Sequence, residues 1–145
     1  MAVSMISLIA KVIANYKGYK TEKKKEEDIL VRMAIIRELN KTKNRIRKFS
    51  IENEKAKKIM DEIDVFVKDI EYSTVGHKYA FFSSKYSPNK DKIKKLIEHD
   101  FLISKKLEEI ENILSDEHGI DLANVHHIIK ALKNIYIDRE SLLRK

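Results

Sequence analysis

The chain has very few of the residues on which disulfide bonds, thiolate metal sites and phosphate loops depend. Its 145 residues include no cysteine, no tryptophan and no glutamine, with three glycines and one proline. The lack of cysteine excludes disulfides and thiolate ligands. Three dispersed glycines cannot form a glycine-rich phosphate cradle, and neither GxxxxGK nor GxGxxG occurs. A chain of this length is expected to form one domain, residues 1–145.

Motifs for metal-dependent catalysis are also missing from the sequence. No HExxH occurs, and no glutamate stands three residues before a histidine, as a di-iron helical bundle requires. His126 and His127 are adjacent, so on a helix they point about 100° apart and cannot easily share a metal. We therefore expect a protein that is not an enzyme and that uses no metal, cofactor or small-molecule substrate.

Helical periodicity runs along most of the chain, and no strand-like alternation competes with it. From residue 29 the sequence ILVRMAIIRELNKTKNRIRKF places Ile29, Met33 and Leu39 on one apolar face. The same spacing turns Arg32 and Glu38 away from that face. Ile36 is also expected on the apolar face, and Arg37 is expected to point away from it.

Cap residues divide the rest of the chain into three further helices. Ser50 is expected to cap the first of these, Ser87 with Pro88 the next, and Asp121 the last. Gly119 is placed to end the third long helix in a left-handed conformation. The short connection that follows predicts an antiparallel final pair. The apolar positions expected in the core are Ala56, Ile59, Met60, Ile63, Phe66, Val67, Ile70, Ile93, Leu96, Ile97, Ile103, Leu107, Ile110, Leu114, Leu122, Val125, Ile128, Ile129, Leu132, Ile135 and Leu142.

Residues 1–19 are expected to form an apolar leading helix. Its polar side chains, Ser4, Ser7, Lys11 and Asn15, fall in one narrow stripe. The helix is too short to span a bilayer and lacks the features of a secretory signal. It is expected to pack in the core or between copies, and a helix lying on a membrane surface is the alternative. Self-association would use Met5, Ile6, Ile9, Val12 and Ile13. The predicted fold is all-α, a four-helix bundle with an additional or extended apolar N-terminal helix.

Positive charge dominates the chain, with a formal net charge of +7 and a pI near 9.4. Such a balance favours an acidic partner, which could be nucleic acid, an anionic membrane or an acidic protein surface. Basic and acidic segments alternate along the sequence, with residues 59–75 and 98–121 acidic. Neighbouring helices can therefore complement each other while part of the basic surface stays free.

The densest positive segment, called here the basic block, lies between residues 41 and 48 and contains no acid. On a helix, Lys41, Arg45 and Lys48 would share one face. They are expected to contact phosphates or carboxylates, the arginines in bidentate geometry. A merely solvated basic face is the alternative. The block consists of Lys41, Lys43, Arg45, Arg47 and Lys48.

Residues 72–87 are expected to form an irregular, aromatic-rich connection. Aromatic side chains interleaved with cations can stack the bases of single-stranded nucleic acid. A lid over the open end of the bundle is the alternative interpretation. The residues that would make such contacts are Lys78, Tyr79, Phe82, Lys85 and Tyr86.

A cysteine-free chain of this size, rich in isoleucine and lysine, with an apolar helix before four others, resembles the small helical-bundle proteins of viruses of hyperthermophilic archaea. The resemblance covers the whole chain and rests on architecture and composition. It implies a non-enzymatic regulatory protein that lodges in the DNA-binding channel of host RNA polymerase, against the mobile clamp, and inhibits transcription. The protein would act in the host cytoplasm, and the virion is a further location.

A channel that holds DNA is itself expected to be positively charged, so a basic protein would meet its wall through an acidic segment, either residues 59–75 or residues 98–121. Asp61, Glu62 and Asp64 are expected to face the channel wall while the basic block meets acidic patches on the clamp. Two other functions remain open from the residues alone. One is a virion or chromatin-type protein that coats DNA through backbone contacts, and the other is a helical protein that binds membrane surfaces.

Overall fold

A computed structural model describes residues 2–19, 24–50, 53–76, 90–116 and 118–144. These residues contain five helices and no strand, so the all-α prediction is confirmed. The helices are α1 (Ala2–Val12), α2 (Lys24–Ser50), α3 (Glu54–Gly76), α4 (Lys90–Leu114) and α5 (Leu122–Arg144).

The helices pack around a shared apolar core. The most extensive contacts join α4 to α5 and α2 to α3, and α1 packs against α4. The α3 and α5 helices run parallel, because Glu62 meets His126 while Ser73, further along α3, meets Tyr136, further along α5. The connection between α4 and α5 is short, and Asp100, in the first half of α4, pairs with Arg139, near the end of α5. The predicted antiparallel arrangement of this last pair is therefore confirmed.

The apolar stripes of α3, α4 and α5 supply most of the core, as their spacing predicts. The prediction is wrong at the end of α5, where Ile135 and Leu142 are only partly buried and Tyr136 and Leu143 are buried instead. Phe66 and Tyr136 meet edge to face with ring centroids 5.7 Å apart. The buried apolar residues of these three helices are Ala56, Ile59, Ile63, Phe66, Ile70, Leu96, Ile97, Ile103, Leu107, Ile110, Leu114, Val125, Ile128, Ile129, Leu132, Tyr136 and Leu143.

The buried face of α2 differs from the predicted one. Met33 is 39% exposed, whereas Arg32, expected to turn away from the core, is only 1% exposed. The apolar side chains that α2 buries completely are Val31, Ile35, Leu39 and Ile46. The rotation of the face has a physical cause, because buried partners surround the guanidinium of Arg32.

A network of five buried charged side chains, called here the arginine network (Asp28, Arg32, Asp100, Arg139 and Glu140), joins α2, α4 and α5. Arg139 lies 2.7 Å from Asp100 and 2.7 Å from Asp28. Arg32 lies 2.9 Å from Asp28 and 2.5 Å from Glu140. Removing one partner from a buried ion pair costs about 3–5 kcal/mol. Sliding any of these helices along its neighbours would therefore be strongly unfavourable.

Two tyrosines complete the hydrogen bonding of Asp100. The hydroxyls of Tyr16 and Tyr19 both donate to Asp100 Oδ2, at 2.7 Å and 2.5 Å. Tyr19 also accepts a hydrogen bond of 2.8 Å from Arg139 Nη2. Burial raises the pKa of both phenols, and the nearby Asp100 raises it further. They are therefore neutral hydrogen-bond donors.

The leading helix predicted to run to residue 19 ends at Val12, and the turn that follows it positions these tyrosines through left-handed backbone. Asn15, Gly18 and Tyr19 have φ angles of 71°, 79° and 65°. A Cβ on Gly18 would lie 2.7 Å from Ile6 Cδ1, so glycine also allows α1 to approach closely. The Glu27 carboxylate accepts the Gly18 N–H at 3.1 Å. The first turn of α2 thus holds Gly18 in place.

The N-cap of α3 lies three residues beyond the predicted one. Ser50 is the last residue of α2 rather than the N-cap of α3. Asn53 takes that role, because its Oδ1 accepts the N–H groups of Lys55 at 2.8 Å and of Ala56 at 3.2 Å. The prediction of Ser50 as a cap is therefore wrong. Asparagine is an equally good N-cap, and composition could not separate the two.

The connection between α4 and α5 confirms one predicted cap and corrects another. Asp121 accepts the N–H of Asn124 at 3.1 Å, as an N-cap should. Gly119 lies five positions beyond Leu114, where α4 ends, and has a φ of 136°. It is therefore not a left-handed helix cap. The guanidinium of Arg45 instead donates to the Leu114 carbonyl at 2.5 Å.

The beginning of the expected irregular connection is helical. The α3 helix continues to Gly76, and the hydroxyls of Ser73 and Thr74 both donate to the Ile70 carbonyl. Arg32 Nη1 donates to the same two hydroxyls at 3.1 Å and 3.4 Å. These polar residues bond to the helix backbone and the buried arginine instead of ending the helix. The predicted Ser87–Pro88 cap lies outside the described residues.

The side chains expected to mediate self-association through α1 face the protein's own interior. Ile9 is 0% exposed and Ile13, just beyond α1, is 2% exposed. Met5, Ile6 and Val12 are partly buried against the core, while Leu8 is 43% exposed. None of the described helices combines the length and apolarity that crossing a bilayer requires.

Candidate protein-binding surface

Three cations of the basic block contact groups within the chain. Lys41 Nζ lies 2.8 Å from the Glu111 carboxylate on α4, and Lys43 Nζ lies 2.6 Å from Asp64 on α3. Arg45 donates to the α4 carboxyl terminus. These contacts hold α2 against both neighbours. Of the three cations predicted to share one face, Lys41 and Arg45 both contact α4, whereas Lys48 is exposed.

The remaining two members of the basic block reach solvent. Arg47 and Lys48 are exposed near the end of α2 and form no ion pair with the described residues. Lys55, Lys57 and Lys58 are exposed in the first turns of α3. Cations near the α2–α3 connection are therefore accessible to an anionic partner.

A pair of carboxyl groups lies beside Lys41. Burial and the adjacent Glu111 carboxylate raise the pKa of Glu38 to about 7. The hydrogen bond from Lys41 lowers the pKa of Glu111 and raises that of Lys41. At mildly acidic pH a protonated Glu38 can donate to ionised Glu111. This part of the α2–α4 contact is therefore sensitive to pH near neutrality.

The three residues of the predicted acidic face have different environments. Asp64 pairs with Lys43, and Glu62 Oε2 lies 2.6 Å from His126 Nε2 on α5. Asp61 is exposed and forms no ion pair with the described residues. Asp61 is therefore the acid of the three that no described cation pairs with.

A groove of about 630 Å³ opens between the parallel helices α3 and α5. The buried side chains of Phe66 and Ile129 form its floor. Val65 and Ile137 line it as well, although they are 53% and 51% exposed. Apolar side chains of this size are usually buried against another surface, and their exposure here marks a candidate contact site.

Charged side chains surround the apolar part of this groove. Lys58 and Asp61 line it from α3, and Lys130 and Lys133 line it from α5. None of these four forms an ion pair with the described residues. Glu62 also contributes to the lining, but His126 holds its carboxylate. The groove therefore presents three lysines and one aspartate that no described residue pairs with.

Sequence reasoning found the acidic part of this groove and missed the apolar and lysine parts. Val65 and Ile137 lie on the polar sides of their helices, outside the main apolar stripes. An apolar residue on a predominantly polar helix face was the available signal. For the arginine network the available signal was a charged residue on an apolar helix face, since Asp100 and Arg139 occupy positions within the apolar stripes of α4 and α5.

The arginine network has no access to solvent comparable with that of the groove. Asp100 and Arg139 are both 0% exposed. Burial lowers the pKa of Arg139, but Asp100 and Asp28 raise it, and the result stays well above the usual value. The network therefore contributes buried charge pairs that hold helices together. Across the described ranges, no group of three or more metal-ligating side chains is found.

The aromatic and basic contacts predicted before α4 lie outside the described residues. They are Lys78, Tyr79, Phe82, Lys85 and Tyr86.

No known protein family, curated protein or solved structure matches this chain.

Proposed function

We propose that this chain is a non-enzymatic viral regulatory protein that binds host RNA polymerase in the region of its DNA-binding channel and clamp and inhibits transcription. The proposal combines the surface of the structure with the resemblance in size, charge and architecture to the RNA polymerase inhibitor of a two-tailed archaeal virus. In this proposal α2–α5 act as a four-helix bundle with α1 as an added apolar helix, and the protein works in the host cytoplasm.

The α3–α5 groove is the observation that carries the proposal. It combines exposed Val65 and Ile137 with charges of both signs that form no ion pair with the described residues. Protein interfaces pair an apolar centre with a polar rim, whereas a DNA backbone offers one sign of charge and little apolar surface. A mixed surface of this kind favours a protein partner. Asp61, from the predicted acidic face, belongs to this surface.

A second candidate, a DNA-coating protein of the virion or of chromatin, is favoured by the exposed cations near the α2–α3 connection. Arg47, Lys48 and Lys55 carry no compensating acid among the described residues. Lysine and arginine side chains in such positions can contact phosphates without reading sequence. Membrane-surface binding has less support, because Ile9 and Ile13 are buried within the protein.

Paired titrations at about 0.15 M salt distinguish these candidates. Fluorescently labelled protein is titrated with purified archaeal RNA polymerase in one series and with a DNA duplex in the other. Saturable binding to polymerase, weak binding to DNA and inhibition of transcription in vitro are expected. Strong DNA binding that falls steeply with salt, without saturable polymerase binding, would contradict the proposal and favour the coating protein.

A further inference from the structure

We infer that the α3–α5 groove binds an amphipathic helix of the protein partner, one that carries acidic residues on both sides of its apolar stripe. This inference rests on the proposed function, since it specifies the chemistry of the contact that such a partner would make. It goes beyond that function because it assigns the occupant and the residues that select it.

The dimensions of the groove suit a helix. On α5 the lining residues run from 129 to 137, which at 1.5 Å per residue is about 12 Å, or roughly two helical turns. Two parallel helices that separate along an open groove provide the surface into which a further amphipathic helix can pack its apolar face. Val65 and Ile137 would contact the apolar stripe of that helix above Phe66 and Ile129.

The charges of the groove select an acidic helix. Lys58, Lys130 and Lys133 carry no ion-pair partner among the described residues. Acidic side chains beside an apolar stripe would meet these lysines at the rim, where complementary charge increases specificity and association rate. A basic helix would bring like charges together. Asp61 alone cannot compensate three lysines.

The same charges disfavour a second copy of this chain as the occupant. A two-fold symmetric dimer brings the same patch of each copy into contact with itself. Six lysines from Lys58, Lys130 and Lys133 of two copies would then share one interface with two Asp61 carboxylates. The net charge of +7 on each chain adds to this repulsion. A partner of opposite charge fits the groove better.

Two synthetic peptides test the inference directly. Both contain about 18 residues, enough for measurable helicity, and share one leucine stripe on an alanine background. Glutamates flank the stripe in one peptide and lysines flank it in the other. Binding of each labelled peptide to the full-length protein is measured by fluorescence anisotropy. We expect saturable binding of the glutamate peptide and at least about tenfold weaker binding of the lysine peptide.

Charge reversal then locates the binding site. The double variant Lys130→Glu/Lys133→Glu should bind the glutamate peptide at least about tenfold more weakly than wild-type protein does, and the lysine peptide more tightly. Lys90→Glu/Lys94→Glu on α4 changes net charge equally and removes exposed lysines that do not line the groove. This control should retain the wild-type preference. Circular dichroism and thermal unfolding establish that both variants are folded.

Two results would overturn the inference: no saturable binding of the glutamate peptide, or equal binding of that peptide by wild-type protein and the groove variant. Polymerase titrations of the same variants separate this failure from failure of the proposed function. If polymerase binds wild-type protein and the groove variant equally, the groove assignment is wrong while the proposed function stands. If peptide selectivity is as expected and polymerase does not bind, the proposed function is wrong.

Discussion

Arg32 and Arg139 are the largest fully buried side chains among the described residues, with exposures of 1% and 0%. Charges so deep in a protein lose hydration and must be compensated by close partners. Each guanidinium contacts two carboxylates, and those carboxylates come from different helices. The cost of breaking such a pair makes the arginine network a specific determinant of how α2, α4 and α5 align.

Replacing Tyr19 by phenylalanine tests this determinant with a minimal change of shape. The variant loses the hydroxyl that donates to Asp100 and accepts from Arg139, while keeping the ring. Leaving buried charged groups with unsatisfied hydrogen bonds should lower the free energy of unfolding by about 1–3 kcal/mol, measured by urea denaturation. Tyr72→Phe is the matched control, because Tyr72 is 82% exposed. Equal stability of the two variants would contradict the role assigned to the network.

Glu38 predicts a specific dependence of stability on pH. Its pKa in the folded protein, about 7, is higher than the ordinary value of 4.5. A raised carboxyl pKa means that the folded state binds the proton more tightly than the unfolded state does. The stability contribution is therefore complete below about 4.5 and is lost as pH rises through about 7. Glu111, whose pKa is lowered, contributes with the opposite sign at more acidic pH.

The variant Glu38→Gln should flatten this decline, because the amide cannot ionise and can still donate to Glu111. Urea denaturation at intervals between about pH 5 and pH 8 measures the difference. Glu108→Gln, an exposed position on α4, provides the control and should follow the wild-type curve. Parallel stability curves for wild-type protein and Glu38→Gln across this range would show that Glu38 ionises normally.

At the scale of helices, apolar periodicity was sufficient to place most of the core but not to orient α2. The stripes of α3, α4 and the first half of α5 follow their predicted positions, because one buried face repeats every three to four residues. Towards the end of α5 the buried side chains are Tyr136 and Leu143, one position after the predicted Ile135 and Leu142. On α2 the side chain of Arg32 is buried and that of Met33 is exposed, because Arg32 contacts buried partners on other helices. Those partners lie on other helices, so periodicity in α2 could not reveal them.

The groove was harder to predict than the core for a related reason. Asp61 and Glu62 were recognised as an acidic face, but their position beside Val65 and Ile137 depends on how α3 packs against α5. The basic block shows the same limit. Its spacing placed Lys41 and Arg45 on one side of a helix, and only packing determines that this side faces α4.

The observed N-cap of α3 gives a test at the scale of one helix. Asn53→Ala removes the oxygen that accepts two N–H groups in the first turn. Stability should fall by about 0.5–2 kcal/mol, measured by thermal or urea denaturation. The control is Asn44→Ala, an exposed position within α2, where alanine should be neutral or slightly stabilising. If the two variants have the same stability, Asn53 does not cap α3.

Across the whole molecule, the alternation of charge along the sequence becomes pairing between neighbouring helices. The basic block of α2 contacts the acidic segment of α4 through Lys41 and Glu111, and that of α3 through Lys43 and Asp64. The prediction that acidic and basic segments complement each other is confirmed for these pairs. The lysines around the α3–α5 groove have no such partner among the described residues, so that surface remains available for another protein.

Site-specific crosslinking to RNA polymerase tests the central claim, that this groove is the contact surface. Because the chain contains no cysteine, a single introduced cysteine carries the photoactivatable crosslinker at a unique position. Ile137→Cys places it in the groove, and Leu102→Cys places it on α4 at a similar exposure, 51% against 47%. Arg47→Cys places it in the exposed part of the basic block.

We expect efficient crosslinking of purified archaeal RNA polymerase from Ile137→Cys and little from Leu102→Cys. Excess unlabelled wild-type protein should suppress the Ile137→Cys product, since both compete for one site. Crosslinking that is equally efficient from positions 137 and 102, or that occurs from position 47 alone, would contradict the groove as the contact surface.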